Sequence, residues 1–195
     1  MDQILLSGDV GSAVEGLDSV KGHGFRQRDL QMVAQFWTDR SSALKQYLTQ
    51  GDRDLVTVSI ADVLVQAAAN GAWKLEPEER ETIRSVLQQV AATKSWPASV
   101  RALSAIAFID DAETARFLVE RANQSSDQFR PAVVALSLMC APAANEWLGR
   151  LEQKVRQADD KTFLLSTKEK YQKLKSDSSL CERRARLRLD QPAKG

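Results

Sequence analysis

Apolar residues recur at helical spacing along almost the whole chain, and this periodicity restricts the fold more than any other feature of the sequence. The segment Val100–Ala122 shows it most clearly, as an apolar stripe, the pair Asp110–Asp111, and a second apolar stripe. Glycine and proline are scarce and stand at the boundaries of such segments, while the alternation typical of strands is nearly absent. The pattern predicts an all-α fold.

The helical segments also recur as a unit, with a period of about 30 residues. Val100–Arg101 and Phe129–Arg130 each open a helix rich in small apolar residues. Phe117–Leu118 and Trp147–Leu148 each lie in the helix that follows a short turn. A recurrence of this length is typical of helical repeats, in which each unit covers the apolar surface of its neighbours.

We therefore divide the chain into five antiparallel helix pairs. Pro77 and Pro142 suit the first turn of a helix, where a backbone N–H would lack a partner in any case. The longest interruption is Gly71–Glu76. The predicted pairs are 9–20 with 26–37, 40–50 with 53–70, 77–93 with 97–109, 111–123 with 127–141, and 143–157 with 160–175.

The stretch V-R-A-L-S-A-I-A-F-I-D-D-A-E-T-A-R-F-L resembles the HEAT repeat, in the short form found in bacterial and phycobilisome-lyase-like proteins. It shares the Val-Arg opening, the small-residue helix, the turn with Asp and the second helix ending in Leu. It departs from the family at Ile109-Asp110-Asp111, where HEAT repeats usually have Gly in the turn. The resemblance implies an α-α superhelix (a HEAT-like α-solenoid) with the second helix of each pair on the inner face.

Charge and cysteine content restrict the setting of the protein. The net charge is +1, so no global field favours nucleic acid or acidic partners. We expect Cys140 and Cys181 to be unpaired, which favours a reduced, cytoplasmic or other intracellular location. The N-terminus does not have the pattern of a signal peptide, although a removed leader would leave no trace, and no apolar run is long enough to span a bilayer.

The sequence contains no complete catalytic or metal-binding motif, so we assign no catalytic residue, no metal and no cofactor. His23 is the only histidine and lies in a Gly-flanked turn without a Cys or His neighbour. Nucleotide-binding glycine loops and zinc motifs are absent. The carboxylate pairs Asp110–Asp111 and Glu78–Glu79 stand at predicted helix starts, where capping accounts for them.

Arginine and tryptophan supply the candidate partner-binding residues. Arg101 and Arg130 are equivalent in the repeat and form either a ladder for an acidic peptide or phosphate, or ion pairs with turn aspartates such as Asp110 or Asp111. Trp73 and Trp96 lie beside interruptions of the helical pattern. Each is expected either to anchor a partner interface or to pack under a loop. The other two tryptophans, Trp37 and Trp147, fall in apolar stripes and are expected to pack between repeats.

The C-terminal end differs in composition from the rest. We predict a HEAT-like domain over residues 1–175 and a basic, flexible tail over residues 176–195. The tail arginines are candidates for contact with nucleic acid, anionic lipid or an acidic partner, or they are simply solvated. They are Arg183, Arg184, Arg186 and Arg188.

These observations favour a non-enzymatic scaffold or adaptor that holds another protein on its concave face. An alternative, suggested by two HEAT-like families, is an enzyme or enzyme subunit similar to bilin lyases or alkyl-base DNA glycosylases. The near-neutral charge argues against a glycosylase, which needs a basic inner face. Nucleic-acid binding through the basic tail is a third alternative.

Overall fold

A computed structural model describes residues 2–178, 180–182 and 184, and this part of the chain is helical without any β-strand. The all-α prediction is confirmed. A short 3-10 helix covers Leu44–Gln46. The α-helices are α1 (Asp2–Leu5), α2 (Val10–Gly22), α3 (Gln27–Thr38), α4 (Arg40–Ala43), α5 (Gln50–Ala69), α6 (Pro77–Ala91), α7 (Trp96–Ile106), α8 (Ala112–Gln124), α9 (Ser126–Leu138), α10 (Pro142–Lys154) and α11 (Ala158–Ser178).

Helix starts follow the local capping chemistry. The side chains of Asp9 and Thr49 accept hydrogen bonds from backbone N–H groups in the first turns of α2 and α5. Asp111 caps α8 by accepting from the Thr114 N–H at 2.9 Å, as the sequence predicts. Pro77 and Pro142 occupy the first turns of α6 and α10. These local signals account for the close agreement between most predicted and observed helix starts.

The predicted helix over 40–50 is wrong. Helix α4 ends at Ala43, the 3-10 helix ends at Gln46, and Tyr47 has an extended backbone with φ −84° and ψ 120°. Tyr47 is fully buried, and its hydroxyl donates to the Leu5 carbonyl oxygen at 2.7 Å. This tertiary contact turns the chain at Tyr47 and leaves Leu48 in an exposed loop before α5.

The chain divides into two compact units, the N-terminal unit (Met1–Ala105) and the C-terminal unit (Ile106–Gly195). Within the N-terminal unit, α5 packs against α2, α3 and α6 and is the most buried helix. Nearly all side chains from Val56 to Ala67 are buried, so this part of α5 is covered by other helices on most of its faces. Because α4 has only four residues, α5 also packs directly against α2.

Within the C-terminal unit, the helices pack in the manner of two stacked pairs. Helices α8 and α9 are joined through Ser125 and pack against each other. Helix α10 then packs on α8, and α11 packs on α9, so that each helix contacts its counterpart in the next pair. Two polar contacts in this unit, Arg130 with Asp160 and Asp110 with the Cys140 N–H, join residues 30 positions apart. The spacing equals the sequence period.

The expectation of unpaired cysteines is wrong. Cys140 and Cys181 form a disulfide bond across a sequence separation of 41 residues. Residues 180–182 and 184 are helical, so part of the segment predicted to be a tail has defined structure. The disulfide removes the premise from which a reduced compartment was inferred. Within the described ranges, no helix has the length and apolar character required to cross a membrane.

Candidate interaction surface

Arg101 lies in a four-charge network inside the N-terminal unit. Its guanidinium donates two hydrogen bonds to the carboxylate of Asp18, and its Nη2 lies 3.4 Å from Asp62 Oδ2. Lys21 Nζ lies 2.7 Å from Asp18 Oδ1 and 2.6 Å from Asp62 Oδ2. Gln66 donates to the other Asp62 oxygen at 2.7 Å. The network joins α2, α5 and α7, so Arg101 holds helices together.

The same network perturbs the pKa of Asp18. Burial by itself would raise this pKa, but the hydrogen bonds from Arg101 and Lys21 outweigh burial and leave the pKa below its ordinary value of 3.8. Asp18 therefore stays ionised in mildly acidic solution. Because the four charged groups of this network neutralise one another, their arrangement favours a structural function.

Arg130 is exposed and belongs to the C-terminal unit. Its Nε lies 3.4 Å from Asp160 Oδ1, and its guanidinium lies 5.2 Å from the centre of the Phe163 ring. Arg101 and Arg130 are therefore both paired with carboxylates, but these are Asp18, Asp62 and Asp160 in place of the predicted Asp110 or Asp111. Arginine–carboxylate ion pairs are present as predicted, but with other acidic residues than the turn aspartates.

Asp110 caps a helix that lies 30 residues further along the chain. Its backbone has a left-handed φ of 58°, which Asp tolerates better than most residues, and its side chain is buried. Its Oδ1 accepts from the N–H groups of Cys140 at 2.7 Å and Ala141 at 2.8 Å. Ala141 is the N-cap of α10, so Asp110 satisfies the N–H groups of the N-cap residue and of the residue before it.

Arg184 is the one predicted tail arginine within the described residues, and only 5% of it is exposed. Its Nη1 donates to the Leu138 carbonyl oxygen at 3.1 Å, and its guanidinium lies 4.8 Å from the centre of the Phe108 ring. Its Nη1 also lies 3.9 Å from Asp110 Oδ2. Arg184 therefore offers little surface to a partner. Arg183, Arg186 and Arg188 lie outside the described residues.

Lys175 completes this buried polar cluster. Its ammonium donates to the Met139 carbonyl oxygen, next to the disulfide at Cys140. Burial lowers the pKa of Lys175, the nearby Asp110 carboxylate partly opposes that effect, and the Arg184 charge adds to it. The cluster and the disulfide together attach the end of the described chain to the C-terminal unit.

The candidate tryptophans have different surroundings. Trp73 is partly buried, and its Nε1 is buried without a hydrogen-bond partner among the described residues. Trp96, at the start of α7, is 65% exposed. Trp37 is buried in α3, as predicted, with the Arg40 guanidinium 4.3 Å from its ring centre. Of the two interface candidates, Trp96 is the one whose ring is available to a partner.

Leu48 is another exposed apolar residue of the N-terminal unit, and the sequence pattern did not indicate it. It is 89% exposed, the largest value among the exposed large apolar residues of the described chain. The first turn of α5, which follows Leu48 in the chain, lies beside the residue before Trp96, since a Cβ on Gly51 would lie 3.4 Å from Ser95 Oγ. We call Leu48 and Trp96 the exposed apolar pair.

A basic cavity of about 450 Å³ opens beside the loop of Leu48. It lies against α4, the 3-10 helix and the first turns of α5. Three cations and one carboxylate line it, together with hydroxyl, amide and apolar side chains. The lining residues are Arg40, Ser41, Leu44, Lys45, Gln50, Arg53, Asp54, Thr57 and Val86.

The described residues do not assemble a metal site, since no three His, Cys, Asp or Glu side chains there could hold an ion together. The ring of His23 lies at the end of α2, where its Nδ1 is 2.9 Å from Ser19 Oγ. The exposed apolar pair and the basic cavity are thus the features that suit recognition of another molecule.

Comparison with known proteins adds no assignment. The chain matches no protein-family model, no curated protein and no solved structure.

Proposed function

We propose that this protein is a non-enzymatic protein-binding scaffold built from HEAT-like helix pairs. Two features support the repeat architecture, namely the packing of α10 on α8 and α11 on α9, and the polar contacts at a separation of 30 residues. Repeat proteins of this type commonly hold partners on extended surfaces. Since a fold alone does not define a function, the proposal rests on a specific surface.

The exposed apolar pair carries the proposal. Trp96 is 65% exposed and Leu48 is 89% exposed, so a partner that covers them lowers the free energy by removing apolar surface from water. Tryptophan is among the residues that contribute most to protein interfaces. The partner-binding surface that we propose is therefore the exposed apolar pair of the N-terminal unit.

The enzymatic alternatives have less support. The two buried aspartates that have the surroundings of functional acids are engaged by structural partners. Asp62 contacts Lys21, Gln66 and Arg101, and Asp110 accepts from two backbone N–H groups. A glycosylase-like reaction would need a carboxylate aimed at a substrate.

Site-specific photo-crosslinking tests the proposal. A photo-reactive phenylalanine derivative is placed at Leu48 in the full chain and irradiated in cells of the native source. We expect one cross-linked protein, and we expect Trp96→Ala to reduce its yield at least tenfold. The exposed Leu165 of the C-terminal unit, labelled in the same way, is the matched control.

Equal cross-linking from Leu48 and Leu165 would contradict this surface. An unchanged yield in the Trp96→Ala variant would also contradict it. Because the Trp96 side chain is mostly in water, the substitution should leave the circular dichroism spectrum unchanged.

A further inference from the structure

We propose that the partner segment bound at this surface is acidic, and that it places its carboxylates in the basic cavity while an adjacent apolar residue covers Leu48 and Trp96. This inference rests on the proposed protein-binding function and states the chemistry of the partner. Three observations carry it, namely the uncompensated charge of the cavity, its shape, and its hydrogen bonds to the loop that carries Leu48.

The cavity contains cations that no carboxylate of the described chain neutralises. The ion pairs of that part of the chain do not include Arg40, Lys45 or Arg53. The single carboxylate in the lining, Asp54, accepts a hydrogen bond from Gln50 Nε2 at 2.6 Å. The buried cations of the four-charge network in the same unit, Lys21 and Arg101, are paired with aspartates.

Two of the three cations are held in position by the protein. Arg40 Nη1 donates to the Trp37 carbonyl oxygen at 2.8 Å, and its guanidinium stacks on the Trp37 ring. Arg53 donates to the Tyr47 carbonyl oxygen at 2.9 Å and to Gln50 Oε1 at 3.3 Å. These contacts reduce the side-chain entropy that binding would cost, so an incoming anion meets guanidinium groups already oriented. Lys45 is exposed and completes the positive lining.

The basic cavity is hydrogen-bonded to the loop that carries Leu48. Arg53 Nη1 contacts the carbonyl oxygens of both Tyr47 and Leu48, at 2.9 and 3.4 Å. The cavity wall is thus bonded to the loop that carries Leu48, and the first turn of α5 lies beside Ser95, the residue before Trp96. A segment with an acidic residue a few positions from an apolar residue would reach both features.

The shape favours a peptide over a membrane surface. Arg40 and Arg53 are partly buried in the wall of a concavity of about 450 Å³, which is the size of pocket that receives side chains. A flat anionic bilayer reaches exposed basic residues more readily than residues within a cavity.

A neighbouring cavity shows that the positive charge is local. A second cavity of about 500 Å³ lies on the other side of α4, and its lining among the described residues has one carboxylate, Asp39, and no cation. Its apolar residues include Leu6 and Phe36. The two cavities are similar in size, so the excess of cations distinguishes the proposed site.

Peptide selection against the full chain tests the inference. A phage-displayed library of random peptides is selected on the immobilised protein, and the enriched peptides are measured by fluorescence anisotropy. We expect enriched peptides to combine Asp or Glu with a large apolar residue. Their affinity should fall about tenfold in Lys45→Glu and should weaken further between about 0.05 and 0.5 M NaCl. The charge-matched control is Lys161→Glu, at an exposed lysine of the C-terminal unit, which should bind as the wild type does.

The outcomes separate this inference from the proposed function. Enriched peptides that lack acidic residues and that require Trp96 but not Lys45 would overturn the inference and leave the protein-binding surface in place. Absence of any enrichment would overturn the inference, while the cross-linking experiment tests the function independently. Two further results would also overturn it: binding to phosphatidylserine vesicles that Lys45→Glu abolishes while peptide affinity is unaffected, or cavity binding of inorganic phosphate alone.

Discussion

Each unit of the protein contains a deeply buried aspartate, and the two are compensated in different ways. Asp62 lies in the middle of α5 and is neutralised by side chains from α2 and α7. Asp110 lies in the turn before α8 and accepts from two backbone N–H groups that precede α10, with Arg184 and Lys175 nearby. Asp62 joins helices through contacts between side chains, whereas Asp110 fixes a chain turn through hydrogen bonds from the backbone.

The difference indicates which unit tolerates the loss of one charge. In the N-terminal unit, Asp18 also binds Lys21 and Arg101, so the cations keep a partner when Asp62 is removed. Among the described residues of the C-terminal unit, no other side chain caps the start of α10, and a disulfide adds a covalent restraint. We therefore expect larger losses from substitutions around Asp110.

The largest expected effect is that of the disulfide. Cys181→Ser should lower the free energy of unfolding of the C-terminal unit by about 4 kcal/mol, because the bond closes a long loop in the unfolded chain. Hydrogen exchange followed by mass spectrometry measures each unit separately, with the N-terminal unit as the internal control. The wild type treated with a thiol reductant should match the variant. Two free thiols in the untreated, denatured protein would contradict the bond.

A smaller loss is expected at Asp110. Asp110→Ala leaves two buried N–H groups without an acceptor and removes the carboxylate beside Arg184, so we expect a loss of about 3 kcal/mol. Asp110→Asn keeps an acceptor oxygen and should lose about half as much. Faster hydrogen exchange at the start of α10 in Asp110→Ala would identify the lost cap. Equal losses for both substitutions would show that the charge matters more than the cap.

The smallest effect concerns pH and the N-terminal unit. Because the pKa of Asp18 is lowered on folding, its ionisation stabilises the folded state above the unfolded pKa and that contribution disappears as the pH falls through the folded pKa. Asp18→Asn should therefore cost about 0.5 kcal/mol at neutral pH, since the carboxylate is 45% exposed. Below about pH 4 the wild type and the variant should converge in a denaturant titration. A constant difference down to pH 2 would contradict this assignment.

Much of the helical layout was predictable because its signals are local. Apolar spacing, prolines in first turns and the Asp111 cap act within a few residues, and the observed helices agree with them. The prediction of a helix over 40–50 was wrong because the Tyr47 hydroxyl donates to the Leu5 carbonyl oxygen, which is 42 residues away in sequence. For the same reason the sequence pattern could not indicate that Leu48, the residue after Tyr47, is exposed.

The sequence by itself determined an all-helical chain, the position of most helix boundaries and the period of about 30 residues, since these depend on spacing and on short-range capping. Only the tertiary structure decided which charges meet. It placed Arg101 on Asp18 and Asp62, aimed Asp110 at the start of α10, joined Cys140 to Cys181, and set the basic cavity beside Leu48. These pairings depend on how helices distant in sequence pack, and local periodicity carries no information about that choice.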